Sequence, residues 1–315
     1  MTGIYVKGRH GEHLLLGGLG PVTGFTGKGN SYKTTMIKFQ TMSASSRMLA
    51  TSNTHIEEYD TEFNQSRERV KMLSQNFDEY RGKDTANDGD DEDGSHTWNL
   101  TNPAKFSGNK WFDALKKYLD IKYEYKDAWI DLPFMDKNKQ PIRMLVPTFS
   151  IVDSFTRFET DDVIEMQDKS EIGHKDGNTI HMRQGLSKLR FLMEAPILSN
   201  KMFNYLLLSA HLGEAGPMAQ QGPYAPPPEK KIPHMKPGEK LKGVTDQFFY
   251  LTTNFWKVSS TNFANKDTKA SEYPKDENDV PNEAGLCDLN LVTMKLIRSK
   301  FGPSGTTLDV AVSLS

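Results

Sequence analysis

Gly27-Lys28-Gly29-Asn30-Ser31-Tyr32-Lys33-Thr34-Thr35 is the stretch that decides the fold of this 315-residue chain. It has the spacing of a phosphate-binding loop, G-x-x-x-x-G-K-[ST], with Tyr32 standing where the second glycine belongs. Such a loop turns successive backbone N–H groups toward phosphates, sends a lysine to the β and γ phosphates and places a hydroxyl on magnesium. Lys33 and Thr34 occupy the positions those two tasks require, and Gly27 through Thr35 are the candidate nucleotide-binding residues. The same residues would also suit a lysine-bearing surface turn. Context separates the two readings: Pro21 to Thr26 can form a short buried strand before the loop, and Thr34 to Phe39 opens a helix after it.

Working outward, the first helix is expected from about Thr34 to Ala50 and another over Gln65 to Tyr80, with Asp60-Thr61-Glu62-Phe63 turning between them. Lys83 to Gly94 gathers Asp84, Asp88, Asp90, Asp91, Glu92 and Asp93, whose mutual repulsion predicts a solvated acidic segment. Its spacing lacks the glycine and final glutamate of a calcium loop. Trp111, Leu115, Tyr118 and Leu119 share one side of a helix expected over Asn109 to Tyr123. Pro147 to Ser154 reads as an apolar strand delivering Asp153 to the carboxyl edge of a parallel sheet, where open α/β folds bind ligands. Asp153 is thus a candidate magnesium-supporting residue together with Thr34, and Glu62 a candidate for polarising water. A strand followed by Asp-Ser is common and carries little weight alone, and Glu62 also fits a surface carboxylate that begins a helix.

A further strand, Asn204 to Ala210, ends at His211, which could sense a γ phosphate or close the strand by a local hydrogen bond. Two polar segments flank these strands. Residues 157–185 carry Arg157, Lys169, Lys175, His181 and Arg183, and a helix is expected from Leu186 until Pro196 stops it. Residues 213–243 hold seven prolines with Lys230, Lys231, Lys236, Lys240 and Lys242, a composition that resists helix and sheet and whose lysines can meet a phosphate backbone. At the carboxyl end, Leu291 to Lys300 and Thr307 to Val312 read as a hairpin with Arg298 and Lys300 at the exit of its first strand.

Composition sets bounds. A hydrophobic fraction of 36%, a charged fraction of 25% and a net charge of −2 exclude a generally basic surface but leave room for local positive loops. The single cysteine, Cys287, permits no intrachain disulfide and is expected to pack as a small apolar group. No apolar run has the length of a membrane span and no signal peptide opens the chain, which points to the cytoplasm and to no membrane partner.

These motifs, in this order, resemble the RecA-type core ATPases, and within them the strand-exchange recombinases of tailed phages, where an aromatic residue also replaces the last glycine of the phosphate loop. Gly17-Gly18-Leu19-Gly20 is similar to the family's approach to that loop, Asp60 to Phe63 to its catalytic-glutamate motif and Phe149 to Ser154 to its magnesium-binding strand. His211 matches its nucleotide sensor. The resemblance runs from about residue 14 to the end and implies an α/β fold: a RecA-like P-loop NTPase core with a mostly parallel central sheet, peripheral insertions and a carboxyl-terminal hairpin. Residues 1–13 would form a short amino-terminal arm before the core at 14–315, and about 83–108 an acidic insertion. About 157–185 and 213–243 would be paired DNA-binding loops, with Arg183, Lys230, Lys231, Lys236, Lys240 and Lys242 on DNA.

The implied activity is DNA-dependent ATP hydrolysis with ATP and Mg2+ as cofactors. Lys33, Glu62, His211, Arg298 and Lys300 would act in catalysis, the last two reaching the triphosphate of an adjacent subunit. The implied partners are single-stranded and duplex DNA, further copies of the chain in a helical filament or a hexamer, and phage single-strand-binding and loader proteins in the host cytoplasm. A hexameric helicase of the same family, or another nucleic-acid motor, is the second functional class, and a DNA-coating or virion structural protein the third. Only about thirteen residues precede Leu14 and no further domain is expected after the last strand, so joining of subunits through the usual recombinase arm is not expected: either Ile4-Tyr5-Val6 would serve as a minimal edge strand, or the chain would form another assembly.

Overall fold

The alternation of apolar residues along the β-strands assigns each to one of two faces, and helices cover both. The computed structural model describes residues 3–7, 13–49, 54–63, 66–81, 86–87, 97–169, 176–214, 232, 235–236, 238–244, 246–262, 289–302 and 304–313. In chain order the elements are β1 (Gly3–Lys7), β2 (His13–Gly18), β3 (Val22–Gly27), α1 (Lys33–Leu49), β4 (Ile56–Asp60), α2 (Arg67–Ser74), β5 (Ala86–Asn87) and β6 (Trp98–Thr101). Then follow α3 (Gly108–Glu124), β7 (Trp129–Met135), β8 (Pro141–Leu145), β9 (Thr148–Asp153), α4 (Asp161–Lys169), α5 (Asp176–Met202) and β10 (Asn204–Glu214). The chain closes with β11 (Glu239–Leu241), α6 (Gln247–Leu251), β12 (Asn254–Asn262), β13 (Leu289–Ser299) and β14 (Thr307–Ser313).

The central sheet runs β14-β13-β12-β3-β10-β9-β4-β6-β5, with β11 added to the end of β10. Neighbours from β12 to β5 are parallel, while β13, β14 and β11 pair antiparallel. The chain is therefore α/β with a mixed, mostly parallel sheet. Period-2 alternation divides its core: Leu206, Leu208 and Val152 face Trp111, Phe155, Phe158 and Phe191, whereas Leu207, Phe149 and Ile151 face Met36, Ile37, Val70 and Trp98. Fully burying each such side chain contributes on the order of 1.5–3 kcal/mol.

The apolar stripe of α3 continues from Trp111, Leu115 and Leu119 to Lys122, and that of α5 runs through Lys188, Phe191, Leu192, Ala195 and Met202, so each helix buries a lysine on its inner face. Lys122 donates to Thr148 Oγ1 at 3.0 Å and to the carbonyl of Met202 at 2.8 Å, joining the starts of β9 and β10. A third buried lysine, Lys38 on α1, bonds Glu58 of β4, which also accepts from Trp98 Nε1 at 2.9 Å. Burial raises the Glu58 carboxyl, and Lys38 opposes that rise.

Several elements differ from expectation. The second helix is shorter, Arg67 to Ser74, because Ser74 Oγ bonds back to the Lys71 carbonyl at 2.7 Å and Asn76 Nδ2 to that of Leu73 at 2.9 Å, which ends the ladder locally. Residues 157–185, read as a polar loop, contain α4 and the beginning of α5. Asp161 and Asp162 in the first turn of α4 suit the positive end of its dipole. Pro196 does not stop α5, which continues to Met202. An interior proline costs on the order of 3 kcal/mol, and burial of Phe191, Leu192, Ala195 and Met202 on the same helix offsets it.

The proline-rich stretch 213–243 carries a strand after all. β11 pairs Leu241 with Leu212 and Glu239 with Glu214, extending β10 beyond His211, while Ile232, Met235 and Leu241 are buried. Within 83–108, β5 and β6 lengthen the sheet edge, and the acids Asp84, Asp88 and Asp90 to Asp93 lie outside the described residues, as does Cys287. At the amino end β1 pairs with β2 from Gly3↔Gly18 to Lys7↔His13, so the arm and the start of the core share one hairpin. The hairpin β7–β8 was not expected. No helix of the described residues is long and apolar enough to cross a membrane.

Candidate active site

Strand register gathers the sequence-predicted residues at one edge of the sheet. His211 stands opposite Gly27, and Asp60 opposite Asp153, all at the carboxyl ends of parallel strands. There the 28–32 loop crosses from β3 to α1 over a cleft of about 370 Å³ lined by residues 29–35, Glu62, Arg69 and His211.

The loop needs glycine at Gly27, where a Cβ would fall 2.4 Å from the Val258 carbonyl oxygen and 2.4 Å from Ser31 Oγ. Asn30 and Tyr32 take positive φ, 55° and 62°. That left-handed conformation explains the glycine of the usual pattern, and a tyrosine adopts it at a cost on the order of 1–2 kcal/mol. The ring leans into the second core and its hydroxyl accepts from Asn290 Nδ2 of β13 at 2.8 Å. Tyr32 thus anchors the loop to the carboxyl-terminal hairpin, and of the two roles open to it, stacking near a nucleotide or covering the loop, its placement suits the second. Ser260 of β12 secures the loop again by donating to the Asn30 carbonyl at 3.0 Å.

Lys33 is buried and donates to the Lys28 carbonyl at 2.9 Å. Burial lowers its pKa, and the charges of Asp153 and Glu62 act in the opposite direction. Thr34 Oγ1 donates to Asp153 Oδ2, and Ser209 of β10 donates to Asp153 Oδ1. Ser31 Oγ is buried and has no hydrogen-bond partner among the described residues.

Glu62 follows β4 on a turn pinned to the end of β9: Thr61 N donates to the Asp153 carbonyl at 2.8 Å, and Ser154 N to Thr61 Oγ1 at 2.7 Å. Asp60 Oδ1 accepts from Glu62 N at 3.0 Å. The Glu62 carboxylate meets His211 Nε2 at 2.5 Å. That hydrogen bond is the largest cause of a carboxyl pKa lowered to about 2, and partial burial opposes it. Glu62 is therefore an ionised carboxylate at neutral pH, placed at the mouth of the cleft beside the lysine.

Residues that sequence reasoning missed also belong here. Arg69 of α2 enters the cleft and donates to Thr35 Oγ1 at 3.1 Å, and Ser209 holds Asp153. Both fall inside expected elements, but only tertiary packing turns them to the site. Among the described residues no group of three or more His, Cys, Asp or Glu gathers as a metal cluster.

Arg298 and Lys300 are not part of this cleft. Ser299 pairs with Asn254, at the amino-terminal end of β12, so the exit of β13 lies at the opposite edge of the sheet from the loop. Arg298 Nη1 donates to the Phe249 carbonyl at 3.2 Å and its guanidinium stacks 5.3 Å and 5.6 Å from the rings of Phe249 and Tyr250, while Lys300 is exposed. Of the residues proposed for DNA, Lys236, Lys240 and Lys242 are exposed; Arg183 lies on α5 with its side chain outside the described residues, and Lys230 and Lys231 lie outside them altogether.

No protein-family model matches the chain, and no curated protein matches it.

Proposed function

We propose that the chain is a RecA-like P-loop NTPase that hydrolyses ATP with Mg2+ and works as a single-stranded-DNA-binding recombinase, pairing and exchanging homologous strands in assemblies of its own copies. The observation that carries the nucleotide half of this reading is one cleft at the carboxyl edge of parallel strands. It brings together the loop lysine, a buried serine hydroxyl without a partner among the described residues, a hydroxyl–carboxylate pair and an ionised glutamate on a histidine.

In this reading Lys33, Ser31 and Arg69 hold the triphosphate. Thr34 and Asp153 suit magnesium, which takes one or two protein oxygens beside substrate phosphates and water, so a single carboxylate with a hydroxyl is a sufficient donor set. Magnesium-bound ATP supplies the electrophilic phosphorus and neutralises charge on the phosphates. Glu62 orients the attacking water, and its low pKa keeps it an acceptor. His211 ties that carboxylate to the strand leading into the 215–238 segment.

The recombinase half is supported by the resemblance and by the far-edge position of Arg298 and Lys300, which suits cations serving a neighbour's nucleotide rather than the chain's own. The test is ATP hydrolysis with and without single-stranded DNA, with Lys33→Ala and Glu62→Gln beside the unmodified protein. Lys33→Ala should lose both binding and turnover, and Glu62→Gln turnover alone. Normal hydrolysis by Lys33→Ala would defeat the nucleotide reading. Micrographs with ATP and DNA separate the assemblies: filaments support the recombinase, and closed six-membered rings favour a helicase.

A further inference from the structure

Lys188 is a buried lysine that takes no part in the cleft. Although 2% exposed, it forms no ion pair among the described residues. Its Nζ donates instead to two carbonyls, Thr156 at 2.6 Å and Gly243 at 2.7 Å, and lies 5.8 Å from the Phe155 ring. Burial holds the ammonium well below the ordinary lysine range, at about 7, with Glu159 opposing.

The two carbonyls belong to segments that also grip His211. Thr156 Oγ1 accepts from His211 N at 2.9 Å and donates to the Lys242 carbonyl at 3.1 Å, while Lys242 N donates to the His211 carbonyl at 2.8 Å. The main chain of the cleft histidine is thus fixed on one side by the turn after Asp153 and on the other by the strand that returns from 215–238. Gly243 makes the junction possible: its φ is +64°, and a Cβ would lie 2.7 Å from the Thr156 oxygen. Lys188 adds the third party, because it sits on α5, the helix that follows residues 170–175. One side chain therefore joins the inner ends of both segments read above as DNA-binding to the backbone of the residue that holds Glu62.

We propose that Lys188 is a positioning residue that couples the nucleotide cleft to both nucleic-acid segments, by tying the Thr156 and Gly243 carbonyls together beside His211. The inference rests on the ATPase and DNA-binding reading, and it adds that the two segments respond to the nucleotide as one unit. Breaking the tie should leave each site intact and sever their communication.

The measurement is the affinity for a fluorescent single-stranded oligonucleotide by anisotropy, with ADP and with a non-hydrolysable ATP analogue, beside DNA-free ATP hydrolysis. Couplings of this kind commonly change affinity about 5–150-fold. K188M keeps the unbranched stem and removes the donors. It should bring the ratio of the two affinities to about 1, with the ADP-state affinity and DNA-free hydrolysis each within about twofold of the unmodified protein. An unchanged ratio, or a parallel loss of both affinities with the ratio preserved, would overturn the proposal, since the latter is what a purely structural lysine gives. Should K188M not fold, Gly243→Ala displaces the same pair of carbonyls through the Thr156 oxygen, and a preserved ratio there is equally adverse. Hydrolysis without any nucleotide dependence of DNA binding in the unmodified protein would overturn the coupling alone, whereas absent hydrolysis would overturn the underlying ATPase reading.

Discussion

Replacing Lys122 by methionine should change how stability depends on pH. The ammonium is 6% exposed, and burial lowers its pKa from 10.5 to about 7 with no charged partner among the described residues to oppose it. About three and a half pH units separate these values, so at about 1.4 kcal/mol per unit the buried charge costs on the order of 5 kcal/mol. Between those values the unfolded lysine keeps its proton and the folded one releases it. Stability therefore rises with pH across this window, by up to about 1.4 kcal/mol per pH unit from this residue. Lys188, lowered by burial in the same way, acts in the same direction. Urea unfolding followed by tryptophan fluorescence between about pH 7.5 and about pH 9.5 should give a K122M line shallower by up to about 1.4 kcal/mol per pH unit. The Met202 carbonyl loses its donor, which costs about 1–3 kcal/mol at every pH and displaces the line without tilting it. The series must stop below pH 10, because burial raises the hydroxyls of Tyr59, Tyr80 and Tyr118, and their ionisation in the unfolded chain then lowers stability. Parallel lines for the two proteins would refute the account of Lys122 as a desolvated ammonium.

Tyr32→Phe removes the bond from Asn290 but keeps the ring in the core, so unfolding free energy should fall by about 1 kcal/mol while ATP turnover stays within about twofold. A collapse of turnover in steady-state assays would mean that the phenol serves the nucleotide. Asp153→Asn should raise the magnesium concentration for half-maximal hydrolysis by about tenfold or more, because the carboxylate that accepts from Thr34 is lost; an unaltered magnesium titration would remove Asp153 from that role. Joint replacement of Arg298 and Lys300 by alanine should abolish DNA-stimulated hydrolysis and leave ATP binding by the isolated subunit within about twofold, since both leave the sheet at the edge away from the cleft. Weakened binding to the isolated subunit, measured by calorimetry, would contradict the trans assignment.

How far the site could be read from sequence follows from how local each signal is. A phosphate-type loop, a strand ending in Asp153 and a strand reaching His211 are contiguous patterns, and parallel register brings such ends to a common edge. The helix at α3 was legible because its apolar stripe is long, and that at α1 because it follows the phosphate-type loop. What stayed hidden depends on partners far along the chain. Lys122 and Lys188 occupy positions on apolar stripes that sequence alone assigns to solvent, because the carbonyls receiving their protons come from residues 202, 156 and 243. Arg69 belongs to a helix whose rotation is set by Val70 packing in the core, and its approach to Thr35 cannot be seen in either segment.

The substituted glycine joins these two kinds of information. From the loop pattern alone Tyr32 is a defect, since a side chain in the left-handed region costs stability. The fold turns that side chain into a link from the loop to β13, and β13 carries Arg298 at its other end. One strand, whose register is fixed on both sides by β12 and β14, thus holds the strained loop residue through Asn290 near its start and carries Arg298 near its end. If copies stack with the far edge of one over the cleft of the next, a displacement of β13 at an interface reaches the loop of its own subunit along that strand and through the Asn290–Tyr32 hydrogen bond. This gives a physical reason for an aromatic residue where glycine would relax the backbone: a glycine would form the turn without strain but would leave the loop independent of the hairpin.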